Sequence, residues 1–209
     1  MPDPAPSRST AHALATALDW PLEGAADLRA ELVAAWDRPG YHDLVHLGEV
    51  LDRLSELAGA VDYPRVPVLL AAWFHDAVYD GERDAEERSA AWAERVLPAY
   101  VDDATATEVA RLVRMTETHE PADDDVSGCV LSDAELAILA APAGRYAAYT
   151  EAVRQEYAHL DDATFRLGRA QVLESLAAKP TLFHTAHARA RWEAPARANL
   201  SAELAVMRG

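Results

Sequence analysis

The chain has 209 residues, half of them hydrophobic, and carries 35 Asp and Glu against 19 Lys and Arg, a formal net charge of −16. A surface this acidic repels the phosphates of nucleic acids and of anionic membranes, because affinity for both depends on Lys and Arg. We therefore expect no nucleic acid and no membrane as partner. An anionic substrate needs a local positive charge, such as a metal ion, at its binding site.

Cysteine usage and the first residues predict the compartment. Cys129 is the only cysteine, so an internal disulfide is impossible and a reducing cytoplasm is expected. Residues 1–9 contain three prolines and no apolar segment, which indicates a disordered tail and not a signal peptide. The longest apolar stretch, residues 66–74, is too short to span a bilayer. We expect a cytoplasmic protein, either a monomer or a homodimer.

Nearly every segment is typical of a helix, because Ala is abundant, Gly is sparse and no stretch alternates as a strand would. After the tail, residues 10–209 are predicted to form one all-α domain, a helical bundle of about eight to ten helices. The predicted helices cover residues 10–19, 24–36, 43–58, 67–80, 84–97, 105–119, 145–159, 163–178 and 195–206.

Three of these segments have informative patterns. Residues 43–58 place leucines at spacings of three and four, which predicts an amphipathic helix. The next helix is apolar on all sides, which predicts burial, and should end at a turn formed by Asp80 and Gly81. Thr105 and Glu108 have the spacing of a capping box. Around residues 130–139 two readings stay open: a second capping box from Ser132, or one continuous helix.

His75 and Asp76 stand at the end of the apolar helix, where the pattern predicts more core. Burying an imidazole and a carboxylate is costly unless each is hydrogen-bonded, paired or bound to a metal. Adjacent helical side chains point about 100° apart, so the two can bracket a metal ion between them. The alternative is a core histidine whose ring N–H bonds a neighbouring carboxylate or carbonyl.

His42 and His46 are four residues apart and share one face if both are helical. This spacing can place two ligands on one metal, or one ligand beside a residue that orients it. Ordinary surface or capping histidines are the alternative.

Several short blocks follow one another along the chain: YHDLVH (41–46), WFHDAVYD (73–80), EERSA (86–90), TETH (116–119), SDAEL (132–136), RQEY (154–157) and ARANL (196–200). Together they resemble the HD-domain superfamily of metal-dependent phosphohydrolases, and within it the subgroup described as predicted metal-dependent HD phosphohydrolases. The resemblance covers roughly residues 36–205.

The resemblance implies that His46, His75, Asp76 and Asp133 bind a metal, with water or substrate in the remaining positions. Two imidazoles and two carboxylates suit Mn, Fe, Ni, Co or Zn, and Mg less well. Such a metal binds a phosphoryl oxygen and lowers the pKa of a bound water. Members with two metals have additional histidines before the last Asp, where this chain has only His119, so one divalent metal ion is expected.

The same resemblance suggests roles for three further side chains. Asp80 and Glu86 are candidates for orienting the attacking water, although Asp80 also suits the turn and Glu86 a solvated first helical turn. The subgroup often has Asn where this chain has Ala85, which weakens the assignment of Glu86. His119 is a candidate for phosphate binding or for moving a proton, with a structural role as the alternative.

Substrate binding is expected to involve His42, which could instead orient a ligand, and Arg154 and Arg169, which lie on largely apolar predicted helices. An unpaired guanidinium there is costly, so the alternative for each arginine is a salt bridge with a carboxylate. Tyr41 and Tyr79, near the motifs, are expected to pack and not to stack on a base, as is Trp73.

The resemblance thus implies a metal-dependent phosphohydrolase acting on a small phosphorylated compound, such as a nucleotide. Two alternatives remain. A diiron oxygenase of the same superfamily needs two metals and further histidine ligands. A regulatory protein would bind a metal and a nucleotide without turning it over.

Overall fold

A computed structural model describes residues 18–209, and within that range the chain forms nine α-helices, two 3-10 turns and no strand. The α-helices are α1 (Ala26–Trp36), α2 (Leu44–Ala58), α3 (Arg65–Phe74), α4 (Ala85–Val96), α5 (Asp103–Met115), α6 (Val126–Leu136), α7 (Ala143–Glu156), α8 (Asp162–Ala178) and α9 (Ala186–Arg208); the 3-10 turns are Leu97–Ala99 and Ala137–Ala140. This confirms the predicted all-α fold. The predicted tail 1–9 and helix 10–19 fall outside the described residues, except for Leu18 and Asp19, which are not helical.

Among residues 18–209, no single helix is both long enough and apolar enough to cross a membrane. Only the pair Val126–Ala140 and Ala143–Glu156 meets the length and composition together, and the two helices are bent by 102° at the break between them.

The buried helix α3 is the centre of the fold. Every residue from Val68 to Phe74 is buried, and the helix contacts α2, α4, α5 and α6, which confirms its predicted burial. It ends at Phe74, earlier than the predicted turn at residues 80–81. Beyond that point the backbone N–H of Val78 donates to the Ser89 hydroxyl of α4, at 3.0 Å, and not to α3. His75 and Asp76 therefore stand at the carboxyl end of the central helix.

Helix α2 begins where its pattern predicts. The Asp43 side chain accepts hydrogen bonds from the backbone N–H groups of Val45 and His46, at 2.8 and 3.1 Å. Its leucines at 47, 51 and 54 face the core. The N-cap fixes the first turn of α2, and with it the position of His46.

Two other helices begin at unpredicted caps. The cap of α5 is Asp102, which accepts from the Thr105 N–H at 2.8 Å, so the predicted capping box from Thr105 is wrong. Helix α6 is capped by Asp125 and runs unbroken past Ser132, which settles the open boundary in favour of one continuous helix.

Helix α9 begins at Ala186, nine residues before the predicted start at Pro195, which lies inside it. The Thr185 hydroxyl caps its first turn by accepting from the N–H of Ala188, at 3.1 Å. Proline costs an interior helix one hydrogen bond. Packing of α9 against α8 and the turn 137–140 outweighs that loss, and Asn199 adds two hydrogen bonds to the backbone there.

Candidate metal centre

Three buried side chains meet between the start of α2 and the end of α3. The Nε2 atoms of His46 and His75 are 3.4 Å apart, and the Asp76 Oδ2 lies 3.9 Å from the first and 3.3 Å from the second. The three residues are 2, 1 and 7% exposed. A metal bound at about 2.0–2.2 Å needs donor atoms at roughly such separations. These residues could therefore hold a metal ion, as the sequence predicts for all three.

The ring of His75 is oriented for this role. Its Nδ1 lies 2.7 Å from the Ala72 carbonyl oxygen, which can only accept, so Nδ1 carries the proton and Nε2 faces His46 and Asp76. The rings are also held by aromatic packing: Trp36 lies 5.2 Å from His75 and Tyr41 lies 4.5 Å from His46, between ring centroids. Two Nε2 atoms at 3.4 Å fit a cation between them.

The charges in the cluster are strongly coupled. Burial opposes the charged form of His75, but Asp76 and Glu135 outweigh it and raise the pKa of His75 to about 9. Burial opposes the charged form of Asp76 too, yet His75 and its neighbours hold the Asp76 pKa well below its usual value. Burial and the neighbouring imidazoles lower the pKa of His46. Both shifts favour an ionised Asp76 beside a positive charge.

His42 lies beside this cluster, on the turn before α2. Its Nδ1 is 3.0 Å from both Glu156 carboxylate oxygens, and Glu156 also accepts the backbone N–H groups of Tyr41 and His42 at 2.8 Å. Nδ1 therefore donates, and Nε2 lies 3.9 Å from the Asp76 Oδ2. Sequence reasoning missed Glu156, although the RQEY block contains it.

The cluster does not include Asp133. This carboxylate is fully buried on α6 and accepts the backbone N–H groups of His184 at 2.7 Å and Thr185 at 2.8 Å, one on each oxygen. It thereby ties α6 to the two residues that directly precede α9. The arrangement gives Asp133 a structural role and does not support its predicted role as a metal ligand.

Glu135 is the carboxylate of α6 that faces the site. Two residues along a helix turn the side chain by about 200°, so Glu135 points away from the partners of Asp133. Its Oε1 lies 3.2 Å from the His119 Nε2, and its Oε2 is buried without a hydrogen-bond partner among the described residues. Sequence reasoning missed Glu135, although it stands in the SDAEL block beside Asp133.

His119 is held in an unusual conformation. Its φ is +52°, a region that non-glycine residues rarely occupy and that is enriched at functional sites. Besides Glu135, the ring contacts the Ser132 hydroxyl, 3.2 Å from Nδ1. This places His119 at the wall of a large cavity, and its role in phosphate binding or proton transfer stays a prediction.

A cavity of about 790 Å³ opens beside the cluster and is lined by Asp76, Glu135 and His119. Asp80 and Glu86 also line it. Asp80 forms two hydrogen bonds with Arg88, at 2.6 and 2.7 Å, and these hold the Asp80 pKa well below its usual value. Both predicted water-orienting carboxylates thus face the cavity, but Asp80 is already engaged by a guanidinium.

Arg154 and Arg169 have carboxylate partners. The Arg154 guanidinium lies 2.7 Å from Asp162, and that of Arg169 lies 2.7 Å from Glu203 and donates to the Tyr149 hydroxyl at 2.8 Å. Both match the salt-bridge alternative. Neither supplies unbalanced positive charge to a phosphate, so the geometry does not support their predicted substrate-binding role.

Arg38 is a cation that sequence reasoning missed. It lines the large cavity and donates to the backbone carbonyl oxygens of Ala35, His42 and Asp76. Within residues 18–209 it forms no salt bridge with a carboxylate. A guanidinium has five N–H donors, so two remain for an anion. In the sequence no local motif distinguishes Arg38, which lies between the end of α1 and the turn before α2.

Comparison with known proteins found no family model, no curated protein and no solved structure that matches this chain. A function must therefore be argued from the residues of the chain and the geometry of this site.

Proposed function

We propose that this protein is a metal-dependent phosphohydrolase acting on a small phosphorylated compound, such as a nucleotide. The observation that carries the proposal is the buried cluster of His46, His75 and Asp76, whose Asp76 lines a cavity of about 790 Å³. The reaction class comes from the resemblance of the motif blocks to HD phosphohydrolases, and it is an analogy.

His46, His75 and Asp76 would hold one divalent metal ion, with Mn, Fe, Ni, Co or Zn suited to these donors and Mg less so. Glu135 offers a further oxygen, because its Oε2 is buried without a partner among the described residues. When bound, such an ion offsets charge on a phosphoryl oxygen and acidifies a coordinated water.

The cavity wall supplies the other groups that hydrolysis needs. Arg38 has unused N–H donors with which to bind a phosphoryl oxygen. His119, 3.2 Å from Glu135, can hold a proton at Nε2 and give it to the leaving oxygen. Glu86 faces the same space and can accept a hydrogen bond from water.

The decisive experiment measures metal content and phosphate release together. Purified protein is assayed against nucleotides and sugar phosphates with each of Mn, Fe, Co, Ni, Zn and Mg. His75→Ala and Asp76→Ala should lose both metal and hydrolysis. His187→Ala is the matched control, because His187 is also a paired histidine, bonded to Glu56 at 2.9 Å, but lies outside the cluster.

Other outcomes contradict the proposal in distinct ways. If His75→Ala and Asp76→Ala keep full metal content and activity, the assignment is wrong. Tight nucleotide binding without turnover under all metals would indicate a regulatory protein instead. Two irons per chain with substrate-dependent oxygen uptake would indicate the oxygenase.

A further inference from the structure

A second cavity, of about 400 Å³, is lined by His42, the histidine beside the metal centre. Four tyrosines and one phenylalanine line it, together with aliphatic side chains, and none of its lining residues within 18–209 is an Asp or a Glu. The large cavity beside the cluster is by contrast lined by many carboxylates. The two spaces therefore suit different parts of a ligand. We call the smaller one the aromatic cavity.

The two cavities share a wall. His42, Tyr79 and Tyr157 line both, and the His42 ring stacks on Tyr79 with centroids 4.1 Å apart and planes 28° apart. On its other edge, the His42 Nε2 lies 3.9 Å from the Asp76 Oδ2. The aromatic cavity is thus about one imidazole ring away from the metal centre. A molecule whose phosphate lies at the cluster can reach it.

In the described part of the chain, the aromatic cavity has no free charge with which to bind a charged group. Its one arginine, Arg169, is matched by Glu203 at 2.7 Å and by the Tyr149 hydroxyl. A phosphate would find no unpaired cation there, and an ammonium group would find no carboxylate. Faces and edges of aromatic rings instead favour planar, uncharged rings. The volume is in the range of small-molecule pockets.

We propose that the aromatic cavity binds a nucleobase of the substrate while the phosphoryl group lies beside His46, His75 and Asp76. The inference rests on the proposed function for the position of the phosphate, but base binding itself needs no hydrolysis. It gives Tyr79 and Tyr157 a role in specificity, whereas the sequence predicts that Tyr79 only packs. Tyr41 is buried at the floor and does pack, against His46 and Tyr149.

Gly168 allows a steric test. It lies within α8 and lines the aromatic cavity, and a Cβ there would meet no atom within 4 Å. Gly168→Leu fills the cavity, and it replaces a helical glycine with a better helix former, so the fold should be retained. Gly144→Leu is the matched control, because Gly144 is also a helical glycine with open space and lines neither cavity.

The probes are four nucleosides, adenosine, guanosine, cytidine and uridine, their 5′-monophosphates, and ribose 5-phosphate, with binding measured by calorimetry. At least one nucleoside should bind to the wild type and to Gly144→Leu. Stacking on aromatic side chains is worth enough that Gly168→Leu should weaken this binding about tenfold or more. Ribose 5-phosphate, which has no base, should bind all three proteins equally.

His75→Ala separates this inference from the proposed function, because it removes a metal ligand but leaves the aromatic cavity intact. It should bind the nucleoside as the wild type does. If nucleosides bind in this pattern but no phosphate is ever released, the base site stands and the phosphohydrolase proposal fails. If no nucleoside binds, or if Gly168→Leu binds as tightly as Gly144→Leu, the inference is wrong, whatever the protein hydrolyses.

Discussion

Gly40, in the turn before α2, lies against Glu156, the carboxylate that orients His42 beside the metal centre. Its φ is +115°, a value that glycine alone adopts readily, and a Cβ there would lie 2.3 Å from the Glu156 Cγ. Glu156 is not free to move aside, because it accepts three hydrogen bonds from the N–H groups of Tyr41 and His42. Gly40→Ala must therefore both strain the backbone and displace Glu156.

The expected cost follows from these two effects. Backbone strain at such a φ costs about 1–3 kcal/mol, and loss of a hydrogen bond to a carboxylate costs about 1.5–3 kcal/mol. The free energy of unfolding should thus fall by about 3 kcal/mol or more, which lowers the Tm of a domain of this size by at least about 6 °C. Gly24→Ala is the control: its φ of +73° is strained but its Cβ meets nothing within 4 Å, so about 1 kcal/mol is expected.

Thermal unfolding followed by circular dichroism, with metal per chain measured on the same samples, checks this prediction. Gly40→Ala should also bind metal more weakly, since His42 loses the carboxylate that orients it. In a double-mutant cycle, adding Glu156→Ala to Gly40→Ala should cost much less than Glu156→Ala costs alone. Equal Tm values for Gly40→Ala and Gly24→Ala would refute the reasoning.

Further predictions concern the buried polar residues. Arg169→Met leaves the buried Glu203 carboxylate without its cation. Denaturant titration should therefore show a loss of about 3–5 kcal/mol of stability, with metal content unchanged. A loss below about 1 kcal/mol would contradict the buried ion pair. Asp133→Asn turns an amide donor toward a backbone N–H, so the free energy of unfolding should fall by about 1–3 kcal/mol. In chelator competition, the metal affinity of Asp133→Asn should be unchanged and that of Glu135→Gln should be weaker. The opposite ranking would restore Asp133 as a ligand. Burial raises the pKa of Cys129 to about 11, so its thiol should react with a disulfide reagent at pH 8 only after denaturation, and rapid labelling of folded protein would contradict this.

The sequence predicted helices best where the pattern of apolar residues shows which helix faces are buried. Leucine spacing located α2, and unbroken apolar residues located α3, because both patterns report directly which faces are buried. Helix starts were less predictable, since Asp102 and Thr105 are both good caps and only the packed chain selects between them. Pro195 appeared to mark a helix start, and the tertiary contacts of α9 overrode that local preference.

At the site, the sequence could predict residues that an apolar context makes conspicuous. His75 and Asp76 are conspicuous because they directly follow a run of apolar residues, and His46 because it lies four residues after His42 at the start of an amphipathic helix. The choice between Asp133 and Glu135 depended on the phase of α6, which the sequence left open. Partners of arginines lie too far along the chain for pattern analysis to find them: 34 residues separate Arg169 from Glu203.

The end of α3 explains why a histidine and a carboxylate can be buried there at all. The last four carbonyl groups of the helix, at residues 71–74, all have donors: in order, the His75 backbone N–H, the His75 Nδ1, the Trp36 Nε1 and the Ala77 N–H. The backbone is therefore satisfied without water. Its dipole, however, places partial negative charge at this end, where the Asp76 carboxylate adds a full one. That combination is unfavourable unless a cation lies within reach. A second proton on His75, at Nε2, would supply one positive charge; a divalent ion held by His46, His75 and Asp76 would replace that proton and supply two, so the helix end favours a cation where its side chains are placed to bind one.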